Sequence, residues 1–176
     1  LQGVYLSENG GKTWSFVGDG DFYRSDSKGS LIVFDSATAK GGTSSTVYAG
    51  THSKGLLKST NGGKTWRSVG FRGLPISDIK EDFSKPGALL VVAKNDLYRF
   101  SGGAVAPIGV GLPKGAIRTL AVSKSQPGFV LAAGGQGGVY RSENSGRTFK
   151  KSNAGLPRKD FNDVALSPAN AKYAYT

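Results

Sequence analysis

Residues 7–14 read SENGGKTW, residues 59–66 read STNGGKTW, and residues 142–149 read SENSGRTF. A catalytic constellation has to occur only once, so an octet written three times is read as a building element. Its flanks repeat with it: GVYLSENGGKTW, GLLKSTNGGKTW and GVYRSENSGRTF each open on a glycine and two apolar residues. Counted from Val4, the matching positions are Leu56, Leu97 and Val139, in steps of 52, 41 and 42 residues. The copy at Leu97, within NDLYRFSGG, keeps the strand and lacks the octet. Two other markers keep the same beat, the tripeptide GLP at 73–75, 111–113 and 155–157, and prolines at Pro86, Pro127 and Pro168.

Within one period the chain reads as four short strands. AIRTLAVS (116–123) alternates and ends in a Ser/Pro/Gly turn, and FVLAAG (129–134) is a nearly continuous apolar run. GVYRSEN (138–144) and TFKKS (148–152) follow, joined by the octet itself. No apolar stripe of helical period and useful length occurs. Four strands in a period near 42 residues define a propeller blade, so the expected fold is all-β, a β-propeller of four-stranded antiparallel blades. The expected units are a part-blade at 1–17, blades at 30–70, 76–109 and 116–153, and a part-blade at 160–176. The end pieces either close a composite blade in a ring of four, or the chain is part of a larger propeller.

Composition agrees with this class. Among 176 residues, 27 are glycine, as a turn-rich all-β chain needs, and 38% are hydrophobic. No stretch is apolar enough for a membrane-spanning helix, and no secretory leader opens the chain. Cysteine is absent, which excludes a disulfide framework and thiolate chemistry. Methionine is absent even at position 1, which reads as a processed chain or an excerpt.

The three octets resemble the Asp-box, or BNR repeat, of pattern Ser-x-Asp-x-Gly-x-Thr-Trp. That repeat is found on propellers of sialidases, xyloglucan-hydrolysing enzymes, sortilin-like receptors and photosystem II assembly factors. One departure is consistent: Asn9, Asn61 and Asn144 stand where the family usually has Asp. Asparagine keeps a side-chain acceptor and tolerates turn conformations, so the hairpin survives without the charge. Ser7, Ser59 and Ser142, with the asparagines, are placed to accept from turn amides, while Gly11, Gly63 and Gly146 can take positive φ. Thr13, Thr65 and Thr148 lead into the fourth strand, and Trp14, Trp66 and Phe149 are expected to pack between blades. Each octet is thus read as a structural staple, not as a calcium or ligand site. Rings in such families resemble six- to ten-bladed propellers, which favours the excerpt over the ring of four.

Function has to come from the opposite face, formed by loops between second and third strands and between blades. The expected loops are 18–30, 51–55, 70–77, 94–96, 112–116, 135–138 and 156–161. Glycosidase chemistry would need two carboxyl groups across the scissile bond. Asp19, Asp21 and Asp26 form the dense acidic group in these loops, with Asp96 and Asp160 as distant partners. FRGLP at 71–75 resembles a sialidase signature but carries an extra glycine, and its GLP belongs to the blade linker. His52 is the only histidine, so any Ser-His-Asp arrangement would have to use it, and nothing near it in sequence suggests a partner; it reads as a polar loop residue, and neither cofactor nor metal is expected.

Charge is the more informative feature. Lys and Arg total 23 against 12 acidic residues, a formal net of +11. Lys58, Arg99 and Arg141 occupy one equivalent strand position in three successive repeats, and the loop face adds Lys54, Arg72, Lys94, Lys114, Arg158 and Lys159. Such a face attracts anionic partners. The reading is an extracytoplasmic, secreted binding or scaffold module for an anionic or neutral polysaccharide or an acidic protein surface. Its alternative is a piece of a xyloglucanase- or sialidase-like glycoside hydrolase whose carboxylates lie partly outside the chain. Nothing in the pattern favours nucleic acid, because aromatic residues do not interleave with the cations.

Overall fold

The computed structural model describes residues 4–17, 31–40, 44–135, 137–157 and 160–176. Strands β1 (Tyr5–Leu6) and β2 (Ser15–Phe16) form an antiparallel pair. Three four-stranded antiparallel meanders follow in chain order. The first is β3 (Ile32–Phe34), β4 (Val47–Gly50), β5 (Leu56–Ser59) and β6 (Arg67–Gly70). The second is β7 (Ile76–Glu81), β8 (Ala88–Ala93), β9 (Asp96–Ser101) and β10 (Ala104–Pro107). The third is β11 (Ile117–Val122), β12 (Val130–Gly134), β13 (Val139–Ser142) and β14 (Lys150–Lys151). A last pair, β15 (Ala165–Leu166) and β16 (Ala174–Tyr175), completes the chain. One 3-10 turn, Ser36–Thr38, capped by the Asp35 carboxylate, is the single helical element among the described residues.

Side-chain alternation explains why the sheets stack as blades. All six residues of β8 are buried, and they point to two different cores. Leu89, Val91 and Ala93 join Tyr48, Leu56, Phe71, Ile79 and Phe100 between the first and second meanders. Leu90 and Val92 join Leu97, Leu120, Val130, Tyr140 and Phe149 between the second and third. A third core, with Phe129, Leu131, Val139 and Val164, lies between the third meander and β15–β16. A continuous apolar run is therefore the expected sequence of a strand covered on both faces, and each such Leu, Ile or Val side chain contributes about 1.5–3 kcal/mol. The fourth strands β10 and β14 are exposed edges, whereas β6 is partly covered, with Val69 packed against the first core.

The chain is thus an all-β propeller built of four-stranded antiparallel blades. Among the described residues β1 and β2 pair only with each other, as do β15 and β16, so these end pairs do not join into one composite sheet.

Candidate functional site

Backbone hydrogen bonds sort the loops onto two faces. On one, Gly62 N donates to Ser45 O, and Ser145 N to Gly128 O, so the octet hairpins lie beside the turns joining first and second strands. On the other, Gly73 N donates to Ser53 O, Lys94 N to Pro75 O, Ile117 N to Asn95 O, and Phe161 N to Gly134 O. These bonds tie the second-to-third strand turns to the linkers between blades.

The hairpins satisfy their polar groups identically three times. In the second copy Ser59 Oγ accepts from Gly63 N at 2.8 Å and donates to Asn61 Oδ1 at 2.9 Å. Asn61 Oδ1 also accepts from Thr65 N at 2.9 Å, while its Nδ2 donates to Thr65 Oγ1 at 2.9 Å. The same bonds link Ser7, Asn9, Gly11 and Thr13, and Ser142, Asn144, Gly146 and Thr148. Gly11, Gly63 and Gly146 have φ of 85°, 93° and 78°, a region that disfavours side chains. The apolar ends of the octets differ. Phe149 is 6% exposed and packs between blades, Trp66 is half-buried, and Trp14 is 62% exposed. Trp14 is therefore not core among the described residues, whereas Phe149 packs against Leu90, Val92 and Leu97 of the preceding blade.

The cations at the equivalent strand position meet three different surroundings. Lys58 lies over the Tyr48 ring at 5.3 Å, and Arg141 lies over Phe129 at 5.1 Å while its Nη2 meets Glu143 Oε1 at 2.5 Å. Arg99 is turned inward, with Nε donating to Asp82 Oδ2 at 3.1 Å and Nη2 donating to Ser145 O at 2.6 Å in the next blade. Ser84 and Ser145 share a further hydroxyl contact across the same boundary. The structure thus gives Arg99 an inter-blade task. Expecting it as one of three outward cations failed because its partners, Asp82 and Ser145, stand far away in sequence.

On the loop face two of the expected cations converge. Lys54 (β4–β5 turn) and Arg72 (linker after β6) line one hollow of about 380 Å³ together with Ser53, Leu57, Trp66 and Ser68. The turns are locked together: Gly73 N donates to Ser53 O at 2.9 Å, and Ser68 Oγ donates to Lys54 O at 3.2 Å. Gly55 has φ of 74°, and a Cβ there would collide with the Gly70 and Phe71 carbonyls, so glycine permits the close approach. Phe71 has φ of 56°, unusual for an aromatic residue, and is held there by burial and an edge-to-face contact with Tyr98 at 5.4 Å. The neighbouring Arg72 is exposed and makes no ion pair among the described residues.

Lys94 and Lys114 are also exposed on this face. Lys114 borders a second hollow of about 520 Å³ with Asp96, whose carboxylate accepts from Gly115 N at 2.8 Å. Asp160 meets Arg118 Nη1 at 3.4 Å in an exposed pair. Asp19, Asp21, Asp26, Arg158 and Lys159 lie outside the described residues. Among the described residues no group of three or more His, Cys, Asp or Glu side chains is placed to hold a metal.

Asp78 was not singled out by sequence reasoning. It is fully buried on β7, where a bulge between Ile76 and Asp78 interrupts the ladder. Its Oδ1 accepts from Ile79 N at 2.8 Å and Lys80 Nζ at 2.7 Å, and its Oδ2 from Leu120 N at 2.7 Å in the next blade. Burial pushes its pKa up from the ordinary carboxylate value, with Lys80 and the two backbone amides pulling it partly back. Thr119 Oγ1 lies 3.3 Å from Asp78 Oδ2 and 3.3 Å from Asp163 Oδ1, so the first strands are linked side by side. The signal available was the alignment of ISDI (76–79), IRTL (117–120) and FNDV (161–164), which stacks Asp78, Thr119 and Asp163.

These blades and faces define a β-propeller segment, and comparison with known proteins places it among solved propellers. No protein-family model and no curated protein matches the sequence. Among solved structures, the GH74 enzyme of Niastella koreensis aligns over 96% of this chain and 31% of its own, at 18% identity and a TM-score of 0.74. The GH74 xyloglucanase of Xanthomonas campestris aligns over 81% of this chain and 26% of its own, at 21% identity and a TM-score of 0.67. An ancestral GH74 enzyme aligns over 95% and 23%, at 19% identity and a TM-score of 0.70. The chain therefore spans less than a third of the length of these structures, and the likeness is one of fold.

Proposed function

We propose that the chain is an extracytoplasmic binding module, an Asp-box propeller with Asn at the third motif position, whose loop face takes an anionic polysaccharide. The observation that carries this reading is that Lys54 and Arg72, both from loop-face turns, line one hollow that extends along β6 to Trp66, with Lys94 and Lys114 exposed on the same loop face. A net charge of +11 adds long-range attraction for a polyanion. The threefold hydrogen-bond pattern of the hairpins supports the Asp-box reading and leaves that face a structural one. An acidic protein is the other partner the charge would suit. A hydrolytic role comes second, favoured by the likeness to GH74 folds and by loop carboxylates at Asp19, Asp21 and Asp26.

The test is a panel of acidic and neutral polysaccharides at two salt concentrations, with reducing-sugar release followed in the same wells. Salt-sensitive retention of acidic polymers without release is the expected result. Absence of retention at low salt refutes the binding reading, and sugar release replaces it with the hydrolase.

A further inference from the structure

We propose that the hollow bounded by Lys54, Arg72 and Trp66 is a subsite for one anionic pyranose unit, its carboxylate or sulfate held by Arg72 and Lys54 and its ring face laid against the Trp66 indole. The proposal rests on the binding reading above and names the ligand unit and the residues that select it.

The lining makes three separate demands on an occupant. The half-buried Trp66, backed by the buried Leu57, offers apolar surface, which suits the C–H face of a pyranose ring and not a fully hydrated ion. Ser53 brings a hydroxyl group, and Ser68, whose hydrogen goes to Lys54 O, brings a hydroxyl acceptor, which suit the hydroxyl groups of a sugar. Arg72 and Lys54 demand an anion, and the planar guanidinium suits the paired oxygens of a carboxylate or sulfate. An inorganic anion meets only the last demand. A neutral sugar meets only the first two. An acidic peptide side chain reaches the cations but has no ring for the indole.

The site is also built in advance. The Gly73–Ser53 backbone bond, the close approach at Gly55 and the positive φ of Phe71 hold the two cation-bearing turns in register, so little ordering is left for the ligand to drive. A hollow of about 380 Å³ lies in the range of small-ligand sites and suits a single sugar unit of a longer chain. The rest of the polymer would run over the exposed loop face toward Lys94 and Lys114.

The experiment uses the whole chain in a Trp14→Phe background, which leaves Trp66 as the sole indole. Trp14 is largely exposed, so its replacement is mild. Four probes of similar length are titrated: an oligogalacturonate, a heparin-derived oligosaccharide, a neutral xyloglucan oligosaccharide and poly-glutamate. Affinity is measured by calorimetry, and Trp66 emission is followed in parallel.

The expected result is that at least one acidic saccharide binds with a change in Trp66 emission, and more than tenfold tighter than the neutral saccharide and poly-glutamate. Arg72→Ala should weaken that binding at least tenfold, and Arg72→Lys, which keeps the charge and loses the fork, by a smaller factor. Trp66→Phe, chosen over alanine to protect the fold, should weaken it measurably by calorimetry. Acidic saccharides that bind without moving Trp66 emission and are indifferent to Arg72→Ala, yet are lost in Lys94→Ala/Lys114→Ala, overturn the subsite and leave the binding module standing. Failure of every acidic saccharide overturns both. Equal binding of poly-glutamate points to an acidic protein and overturns the sugar.

Discussion

Replacing Asp78 with asparagine tests whether the buried carboxylate is a structural bond between blades. Just after the register shifts in β7 and β11, two backbone amides, Ile79 N and Leu120 N, donate to the carboxylate. Each amide uses a different oxygen. Asparagine has almost the same size, so no cavity opens, but it supplies one acceptor and one NH2 group where the structure needs two acceptors. Whichever way the amide turns, one buried N–H faces a donor, and an unsatisfied buried group costs about 1–3 kcal/mol. The Lys80 ammonium, 2.7 Å from Oδ1, also loses its counter-charge. Relief of the buried charge offsets part of this, and the net expectation is a loss of about 2 kcal/mol, or about 4–8 °C in Tm for a chain of this length.

The pH dependence carries a definite sign. The folded carboxyl has its pKa raised, mainly by burial, so at pH values between the unfolded and folded values the native state keeps a proton that the unfolded chain has released. The stabilisation from that proton is complete below the unfolded value, near pH 4, and is lost as pH rises through the folded value. Wild type should therefore exceed Asp78→Asn by most at the acid end, with the gap shrinking toward neutral pH. Urea unfolding followed by tryptophan fluorescence at several pH values between 4 and 7.5 reads both quantities. A variant as stable as wild type throughout, or a gap that widens with pH, refutes the reasoning.

Ser59→Ala removes the acceptor of Gly63 N in a buried hairpin and should cost about 1–2 kcal/mol in urea unfolding, whereas Asn61→Asp should stay within about 0.5 kcal/mol, because the Thr65 hydroxyl can donate to the new carboxylate. Arg99→Gln leaves Asp82, whose side chain is only 2% exposed, without its cation and should cost about 3 kcal/mol, with increased proteolysis at the boundary between the second and third blades. Phe149→Ala should cost about 3–5 kcal/mol as a core aromatic, and Trp14→Ala less than about 1 kcal/mol, with Trp66→Ala between them. Equal losses at the three positions would mean that their burial does not decide their contribution.

The legible parts of the fold were those whose partners lie close in sequence. The side-chain bonds among the Ser, Asn, Gly and Thr of an octet join residues two or four apart, so Ser59, Asn61, Gly63 and Thr65 announced their roles without any knowledge of the tertiary structure. Strand composition was equally direct, since β8 is apolar throughout because it is covered twice. Contacts between blades were not legible. Arg99 reaches Ser145 across 46 positions and Asp78 reaches Leu120 across 42, separations near one blade period at which periodicity shows equivalence but no contact. Lys54 and Arg72 were legible as residents of one face. Their shared hollow forms where the Gly73–Ser53 backbone bond joins two turns about 20 positions apart, a contact that a sequence does not print.

Two kinds of bond between the second and third blades follow from this arrangement and bear on where function can reside. At the first strands, Asp78 carries the link, and on the hairpin face Arg99 and Ser84 carry it to Ser145. Both links use side chains that are buried or half-buried, and the apolar core between them is continuous. The loop-face linkers are instead joined to the strand turns through backbone groups, such as Lys94 N to Pro75 O and Ile117 N to Asn95 O. A backbone bond survives a change of side chain. Positions such as Arg72, Lys94 and Lys114 are therefore open to ligand chemistry at little cost to the fold, whereas Arg99, at the same strand position as Lys58 and Arg141, is committed to holding blades together.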